Sequence, residues 1–430
     1  MIYTIQPPAS IHVKIRLPAS KSISNRMLIL NALSQSAYPI ENLSDSDDTK
    51  VLANALLSMQ SGNTAFDVGA AGTSMRFLTA YLAQSEGLWT ITGSDRMKNR
   101  PIRILVDSLQ TIGGEIEYME KEGFPPLRIH GRKLAGGTIR LNGGVSSQYL
   151  SALMMIAPFT QQGLDNICLE GNIISRPYID MTARLMQTLN IQVLWDGNRI
   201  RIEPQSCQPV PFTVENDWSA ASYWYETVAL ADSSACVELS GLEQNSLQGD
   251  AKVEKLFETI VSSSHSSLDA ESPVSSCHSA LDAESPEKSV LIRRLLKPAM
   301  TQSMTYDFTN EPDLAQTLVV SCCLLDIPFH FTGLQSLRIK ETDRIAALQT
   351  ELRKLGYAVK TAEAAMEWSG ERCEQEVDPV ISTYDDHRMA MAFAPVCLKT
   401  GKIRIKDPGV VSKSYPAFWK DWEKAGFRIE

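Results

Sequence analysis

Apolar and polar positions along the chain follow two patterns, one typical of helices and one typical of short strands. Six segments begin with a small or polar turn and continue as a helix with a face rich in Ser and Ala. Each is followed by a second, more polar amphipathic helix, and short β-type runs lie between the helices. The pattern predicts a repeated unit of strand, helix, strand and helix with further strands. The six first helices are "PASKSISNRMLIL", "GAAGTSMRFLTAYL", "GGVSSQYLSALMM", "ENDWSAASYWYETVAL", "NEPDLAQTLVVSCCLL" and "YDDHRMAMAFAPVCL".

The spacing of these helix starts divides the chain into two groups of three units, with the break just before "ENDWSAAS". The turns that precede them fall near positions 19, 70, 144, 216, 311 and 385. The longest interval contains residues 262–289, in which "HSSLDAESP" and "HSALDAESP" recur 13 residues apart. Ser, Asp, Glu and Pro without periodicity cannot bury enough apolar surface to order themselves. We therefore expect 262–289 to be a duplicated, disordered surface insertion without a catalytic role.

Composition narrows the class of protein and of partner. The chain has 430 residues, 43% hydrophobic and 21% charged, which suits two or three domains with a core each. Its net charge of −9 disfavours nucleic acid and anionic membranes as partners but does not exclude a small anionic substrate. No apolar run approaches the length of a membrane span, and "MIYTIQPPAS" lacks the pattern of a signal peptide. The eight scattered Cys predict reduced thiols in a cytoplasmic protein.

Basic residues occur at the predicted helix starts, where the helix dipole normally disfavours them. Because free N–H groups at a helix N-terminus bind phosphate and carboxylate, added cations predict a centre that binds several anions. Hydroxyls interleaved with them are either further ligands or simple N-caps, and capping is favoured for Ser175. The basic residues are Lys21, Arg26, Arg76, Arg100, Lys340, Arg344 and Arg388, with Lys413 just before another start. The hydroxyl residues are Ser22, Ser24, Thr73, Ser74, Ser146, Ser147 and Ser175.

Carboxylates share these helix starts. Asp313, Glu341 and Asp385 are each either a first-turn acid that suits the dipole or an acid or base for chemistry, and at Asp385 capping is favoured. On one helix, Lys340 and Arg344 would stand one turn apart as a like-charge pair that a bound anion stabilises.

Other catalytic chemistry has little support in the sequence. His387 is either a proton shuttle or a hydrogen-bonded structural residue, and the structural role is favoured. No HxxxH, HExxH or Cys/His cluster is present, so we expect no metal site. No phosphate-loop or dinucleotide motif is present either, so we expect no nucleotide cofactor.

At the level of whole motifs, the chain resembles the 5-enolpyruvylshikimate-3-phosphate synthase family over nearly its whole length, excepting roughly 260–305. "KETDR" together with "DHRMAM" and "SSQ" in family order is a highly specific combination. The family has two inside-out α/β barrel domains, each with three βαβαββ units, that close over the substrates. The resemblance implies a first domain at 20–215 and a second that combines 1–19 with 216–430. The matching stretches are "LPASKSISNR", "AGTSMR", "RMKNRPI", "GGVSSQYLSAL", "ISRPYID", "PDLAQT", "KETDR", "YDDHRMAM" and "DPGVVSKSYPAFW".

The resemblance also implies the chemistry. The family joins phosphoenolpyruvate to the 5-hydroxyl of shikimate 3-phosphate and releases phosphate through a tetrahedral, non-covalent intermediate, without a cofactor. By this similarity Asp313 deprotonates the hydroxyl, and Glu341 and Lys21 are candidates for moving the proton on and off carbon. The implied shikimate 3-phosphate ligands are Lys21, Ser22, Arg26, Ser146, Ser147, Gln148, Ser175, Asp313 and Lys340. The implied phosphoenolpyruvate ligands are Lys21, Gly72, Arg100, Gln148, Arg344, Arg388 and Lys413.

Two departures and several alternatives remain open. Ala70 and Ser336 stand where the family usually has Asn, which affects phosphoenolpyruvate binding or the response to the inhibitor glyphosate. A UDP-N-acetylglucosamine enolpyruvyl transferase shares the fold, but its loop Cys has no counterpart in "SDRMKNRP". A catalytically inactive anion-binding homologue is a second alternative, and the acidic balance argues against RNA binding by a related fold. We expect a cytoplasmic monomer that binds small molecules and neither nucleic acid nor membrane.

Overall fold

The structure is a computed structural model that describes residues 1–231, 235–262, 289–293 and 303–430. Residues 263–288 of the predicted insertion therefore lie outside the described residues. Among the described residues, none of the helices combines the length and the apolar character that crossing a membrane requires.

The helices of the described ranges include all six predicted first helices. They begin within about four residues of the turns expected from the sequence. The helices are α1 (Lys21–Ser34), α2 (Asp47–Gln60), α3 (Gly72–Gln84), α4 (Arg103–Thr111), α5 (Ser147–Ile156), α6 (Arg176–Thr188), α7 (Trp218–Leu230), α8 (Val253–Ser262), α9 (Ala315–Leu324), α10 (Arg344–Lys354), α11 (His387–Phe393), α12 (Cys397–Thr400) and α13 (Phe418–Lys424).

Short strands lie between the helices, as the β-type runs predict. The strands are β1 (Ile2–Gln6), β2 (Ile11–Arg16), β3 (Ile40–Glu41), β4 (Ala65–Asp67), β5 (Gly87–Thr92), β6 (Glu115–Tyr118), β7 (Leu127–Gly131), β8 (Thr138–Asn142), β9 (Leu164–Glu170), β10 (Leu194–Asp196), β11 (Arg199–Ile202), β12 (Phe212–Thr213), β13 (Ala235–Ser240), β14 (Ser289–Arg293), β15 (Met304–Asp307), β16 (Phe329–Thr332), β17 (Lys360–Thr361), β18 (Met366–Trp368), β19 (Val380–Ile381), β20 (Ile403–Lys406) and β21 (Arg428–Ile429).

Three four-stranded sheets repeat one topology, which confirms the predicted βαβαββ unit. In each, two parallel strands joined by a helix are followed by a second helix and an antiparallel hairpin. The last strand of the hairpin pairs with the second parallel strand. The strand orders are β4-β5-β7-β6, β8-β9-β11-β10 and β15-β16-β18-β17.

The remaining sheets are completed by segments that are far apart in the sequence. Strand β1 pairs with both β20 and β21, and β2 pairs in parallel with β13. In the other half of the chain, β12 pairs in parallel with β3. Such long-range pairings bring the two ends of each group of three units together.

The buried apolar residues form two separate cores. One runs from Ala19 to Val214, and the other combines Ile5–Leu17 with residues from Trp218 to Phe427. We call the parts of the chain built around them the first lobe and the second lobe. The domain boundaries expected from the sequence stay a prediction, which this separation of the cores supports.

Two extended segments connect the lobes side by side. The amide of Ser20 donates to the carbonyl of Glu215, and the amide of Asp217 donates to the carbonyl of Pro18, both at 2.9 Å. Immediately after these crossings α1 and α7 begin, so the first residues of both helices lie between the lobes.

Candidate active site

A cavity of about 430 Å³ lies between the lobes, and it is lined by the N-terminal residues of five helices and by Asp313 in the turn just before a sixth. These are the helices α1, α3, α5, α7, α9 and α11, which are the first helices of the six repeated units. The repeat therefore has a functional consequence, because each unit directs a helix start with free N–H groups towards one place.

Fourteen of the fifteen predicted site residues line this cavity, although their roles in binding and catalysis stay predictions. Lys413 is not among the lining residues, and its Nζ donates to the carbonyl of Asp385 at 2.8 Å. The fourteen are Lys21, Ser22, Arg26, Gly72, Arg100, Ser146, Ser147, Gln148, Ser175, Asp313, Lys340, Glu341, Arg344 and Arg388.

Arg344 is the cation around which the second-lobe carboxylates gather. Its Nε and Nη2 bind the two oxygens of Asp386 at 2.7 and 3.1 Å, a bidentate pair. Its Nη1 lies 3.1 Å from Asp313 Oδ1, and its Nη2 lies 2.9 Å from Glu341 Oε2. Arg344 is 1% exposed, so these contacts hold an almost fully buried guanidinium at the wall of the cavity.

Asp313 lies at the centre of a second set of contacts. Its Oδ2 accepts a hydrogen bond from the Tyr178 hydroxyl at 2.8 Å and lies 3.0 Å from Arg388 Nη2. Its Oδ1 is 3.5 Å from Lys340 Nζ. Tyr178 belongs to the first lobe and Asp313 to the second, so this hydrogen bond joins the lobes across the cavity.

The surrounding cations keep both candidate catalytic carboxylates ionised. Burial alone would raise the pKa of Asp313, but Arg388, Lys340 and Arg344 outweigh it and hold the pKa well below the ordinary value. Burial likewise opposes ionisation of Glu341, yet Arg344, Arg100 and other cations hold its pKa well below the ordinary value. Both carboxylates therefore bind protons weakly as long as no further anion binds in the cavity and neutralises the surrounding cations.

Gly72 is where two first-lobe arginines come together. A Cβ atom at this position would lie 2.5 Å from Arg100 Nη1 and 2.8 Å from Arg76 Nη1. The Nε atoms of both arginines are buried without a hydrogen-bond partner among the described residues. Two nearby guanidinium groups with unused donors favour a bound anion, and the absence of a Cβ at Gly72 lets both groups lie this close to the backbone.

Arg26 lines the cavity, but its guanidinium also donates several hydrogen bonds to neighbouring residues of the protein. Its Nε donates to Thr182 Oγ1 at 2.7 Å, its Nη2 to Ser151 Oγ at 3.0 Å, and its Nη1 to the carbonyl of Ser22 at 2.8 Å. Burial lowers the pKa of Arg26 to about 10, so it remains positively charged at neutral pH.

Three local expectations from the sequence are wrong. Lys340 and Arg344 do not share a helix, because Asp343 caps the amide of Ala346 and α10 begins only at Arg344. Asp385 is not the cap of α11, because its positive φ of 53° leaves the extended capping position to Asp386.

Ser175 is the third case. It occupies the position before α6, but its side chain makes no capping hydrogen bond and its φ is 54°. Its amide instead donates to the carbonyl of Thr309 in the second lobe at 2.8 Å. Ser146, in contrast, does cap its helix, since its Oγ accepts from the amide of Gln148 at 3.4 Å.

The interpretation of His387 as a hydrogen-bonded residue is also wrong. It lines the cavity and is 2% exposed, and neither ring nitrogen has a hydrogen-bond partner among the described residues. Burial and the neighbouring Lys21 lower its pKa well below the ordinary value, so the ring is neutral. The sequence placed His387 at a helix start, but no spacing signal revealed that its ring nitrogens are left unpaired.

Several lining residues were missed by the sequence analysis. Asp48 lies 3.7 Å from Lys21 Nζ, and Tyr178 reaches Asp313 as described above. Asp217 caps α7 and faces the cavity. Ordinary capping and helix signals describe these positions in the sequence, and only the folded chain brings them to the site.

The two family departures differ in position. Ser336 lines the cavity, whereas Ala70 is exposed and is not among the lining residues. No group of three or more metal-ligating side chains is found in the part of the chain that the structure describes. The lining instead combines Lys, Arg, Ser and Gln donors, which suits oxygen-rich anions.

The fold and the site together define a two-lobed α/β protein whose interlobe cavity has a lining suited to small, multiply charged anions. The sequence profile of EPSP synthase (3-phosphoshikimate 1-carboxyvinyltransferase) matches residues 5–65 and 57–422. The chain belongs to the EPSP synthase family.

Individual relatives agree with this family over the whole chain. The chain is 48% identical to a 3-phosphoshikimate 1-carboxyvinyltransferase of Bacteroides fragilis, an alignment that covers 100% of this chain and 99% of the relative. It is 34% identical to the enzyme of that name from Vibrio cholerae, with 97% of each chain covered. Among solved structures, EPSP synthase of Acinetobacter baumannii superposes with a TM-score of 0.75 at 19% identity, covering 100% of this chain and 99% of the other, which supports the fold.

Proposed function

We propose that the chain is a 3-phosphoshikimate 1-carboxyvinyltransferase that transfers the enolpyruvyl group of phosphoenolpyruvate to the 5-hydroxyl of shikimate 3-phosphate and releases phosphate. The named relatives supply the activity. The observation that carries it is the convergence of these helix starts, and of cations from both lobes, on one cavity. Phosphoenolpyruvate and shikimate 3-phosphate together carry at least four negative charges, which matches a lining rich in cations and N–H donors. A neutral substrate would not need such a lining.

The ligand assignments follow the predicted sets and are proposals. We assign shikimate 3-phosphate to the part of the cavity that contains the α5 start, Ser175 and Lys340. We assign phosphoenolpyruvate to the part that contains Gly72 and the arginines. The proximity of Arg76 and Arg100 at Gly72 supports this second assignment. Lys413 would join the donor site through a small shift, because Ser414 beside it already lines the cavity.

The proposed reaction begins with a proton transfer to the methylene carbon of phosphoenolpyruvate, for which Glu341 and Lys21 are the candidates. Glu341 is ionised in the free site, so it can donate only if the bound anions neutralise Arg344 and Arg100 and let it take up a proton. C2 then becomes electrophilic, and the 5-hydroxyl attacks it while Asp313 accepts the hydroxyl proton. The tetrahedral intermediate loses phosphate, and the methyl carbon returns its proton. No nucleophile of the protein forms a covalent bond in this scheme.

Substrate binding itself prepares Asp313 as the base. In the free site, Arg388, Lys340 and Arg344 make the carboxylate a weak base. Bound phosphate and carboxylate groups neutralise those cations, and the pKa of Asp313 then rises towards the ordinary value. The base becomes effective only when both substrates are present, which limits unproductive chemistry on one of them.

A steady-state assay of phosphate release tests the proposal. We expect release only when phosphoenolpyruvate and shikimate 3-phosphate are both present, and none when UDP-N-acetylglucosamine replaces the acceptor. Asp313→Ala should lower turnover by roughly 10²–10⁴-fold while both substrates still bind. Asp326→Asn, which removes an exposed carboxylate away from the cavity, is the control. Absence of release by the pure parent protein would refute the function, and release with the UDP-sugar would favour the alternative enzyme.

Location, assembly and domain arrangement remain proposals from the sequence. The described cysteines are free thiols, which supports a reducing compartment such as the cytoplasm. We infer a monomer whose domains, 20–215 and 1–19 with 216–430, close about the two crossing segments. We also infer that small molecules, and neither nucleic acid nor membranes, are its binding partners.

A further inference from the structure

A buried carboxyl group lies behind the cavity and takes no part in the proposed reaction. Asp250 is 4% exposed and is not among the lining residues. The hydroxyl of Ser219, which does line the cavity, donates to it. Arg388 Nη2 in turn donates to Ser219 Oγ at 3.4 Å and lies 3.0 Å from Asp313 Oδ2. A chain of contacts thus runs from Asp250 to the proposed base.

The segment that carries Asp250 is fixed by contacts with both lobes. Gln248 Oε1 accepts from Ser20 Oγ and from the amide of Trp218, both at 3.1 Å. At Gly249 a Cβ atom would lie 2.5 Å from Pro177 Cβ of the first lobe, so a side chain there would displace one lobe from the other. Asp250 is therefore held at the place where the lobes meet, and Ser219 and Arg388, its links to the cavity, belong to the same second lobe.

Charged and titratable groups from several elements surround Asp250. Arg388 from α11 attracts its negative charge, whereas Asp313 and Asp217 repel it. The phenols of Tyr178 and Tyr306 also face it from α6 and β15. Burial and the Asp313 charge raise the pKa of Asp250 to about 7, despite Arg388 and the Ser219 hydrogen bond.

We propose that Asp250 is a positioning residue that orients Arg388 through the hydroxyl of Ser219. When Asp250 is ionised, its negative charge weakens the attraction of Arg388 for the anionic donor. This inference rests on the proposed function, because it assumes that Arg388 binds phosphoenolpyruvate. When Asp250 is neutral, the negative charges that attract the Arg388 guanidinium are those of Asp313 and of phosphoenolpyruvate. An ionised Asp250 adds a competing negative charge one hydroxyl away.

The proposal predicts a pH-dependent donor affinity. As the pH rises through about 7, Asp250 loses its proton and the KM for phosphoenolpyruvate should rise. The expected rise is roughly threefold to tenfold, the scale of one charge a few ångströms away in a partly screened site. The value of kcat should change less, because Asp250 does not touch the reacting atoms.

Asp250→Asn tests this, since the amide keeps the shape but cannot ionise. Its KM for phosphoenolpyruvate should stay near the low-pH value of the parent over about one pH unit on either side of that pKa. The substrate's own ionisation is the same for both proteins and cancels in their ratio. Asp180→Asn, which removes another carboxyl with a raised pKa on α6, is the matched control and should behave like the parent. A structural role alone would lower stability without removing the pH dependence.

A second variant keeps the inference testable if Asp250→Asn does not fold, which thermal unfolding would reveal. Ser219→Ala removes the hydroxyl between Asp250 and Arg388, and we expect the KM for phosphoenolpyruvate to rise several-fold already below pH 7. An unchanged KM in this variant, or the parental pH dependence in Asp250→Asn, overturns the inference. A parent protein without activity would instead overturn the proposed function, so the two failures are distinguishable.

Discussion

Asp313 is paired with three cations, and this pairing predicts how activity depends on pH. Because its pKa is well below the ordinary value in the free protein, the carboxylate stays ionised far into the acid range. Bound substrates neutralise the cations and raise that pKa. We therefore expect the acid limb of kcat, which reports the substrate complex, at a higher pH than the acid limb of kcat/KM, which reports the free protein.

Rate profiles at saturating and at low substrate concentrations measure these two limbs. The ionisation of the substrates, determined separately, is subtracted from the kcat/KM profile. Coinciding limbs, or a kcat limb at the lower pH, would show that bound anions do not control the basicity of Asp313.

Gly72 offers a steric test of the donor site. In Gly72→Ala the new methyl group would occupy space within 3 Å of Arg100 and Arg76, so both guanidinium groups must move. We expect the KM for phosphoenolpyruvate to rise at least about tenfold, a loss of about 1.4 kcal/mol of binding, with little change for shikimate 3-phosphate. Steady-state kinetics with each substrate varied in turn measure both constants.

Gly409→Ala is the matched control for this substitution. A Cβ atom at Gly409 has no neighbour within 4 Å, so both constants should equal those of the parent. If Gly72→Ala changes the two substrates equally, or neither, then the arginines at Gly72 do not form the donor site.

At the scale of elements, a buried acid lies between α7 and α9. Glu226 is 0% exposed, its Oε1 accepts from Ser321 Oγ at 3.3 Å, and its Oε2 has no partner among the described residues. Burial raises its pKa well above the ordinary value, so it is protonated in the folded protein. Such a group favours the folded state less and less as the pH rises from its unfolded pKa to its folded pKa.

Glu226→Gln should therefore be more stable than the parent at neutral pH, by about 1–2 kcal/mol, and the difference should vanish towards pH 4. Denaturant unfolding at several pH values measures it. Glu258→Gln on the exposed side of α8 is the control and should show no such trend. A stability difference that is independent of pH would mean that Glu226 acts through packing or hydrogen bonding alone.

The sequence predicts helices of this fold better than it predicts long-range pairs. Periodicity and turn residues give the starts of α1, α3 and α5 within about three residues, because these signals are local. The two-residue pairing of β12 with β3 has no such signal, since it depends on how the chain returns after about 170 residues. The sequence places Lys340 inside the same helix as Arg344, but α10 begins only at Arg344, because the capping oxygen belongs to Asp343.

The same distinction applies to the candidate site. Residues such as Lys21 and Arg388 are predictable because a cation in a first turn contradicts the helix dipole and needs another explanation. Tyr178 and Asp250 do not conflict with the helix dipole or with any other local preference, so the sequence gives no signal that they are functional. A phenol or an acid near a helix start is ordinary there, and only the packing of the lobes gives these groups their partners.

At the scale of the whole molecule, an acidic chain encloses a basic cavity. Most of the carboxylates that contribute to the net charge of −9 lie on the surface, while cations from both lobes face one another across the cavity. Like charges opposed in this way favour separation of the lobes, and anions that contact both lobes favour their approach. Direct contacts such as Tyr178 with Asp313 and Ser175 with Thr309 form only when the lobes are close.

This balance predicts that the substrates together make the molecule more compact. Asp313→Ala is suited to the measurement, because we expect it to bind both substrates and to consume them only slowly. Small-angle X-ray scattering should give a smaller radius of gyration with both ligands than with either one, since the two together place more negative charge between the lobes than either does alone. The parent protein with shikimate 3-phosphate alone, which cannot turn over, controls for the substitution. An identical radius of gyration in all states would mean that the lobes are held together without the anions, and that the cations across the cavity do not govern closure.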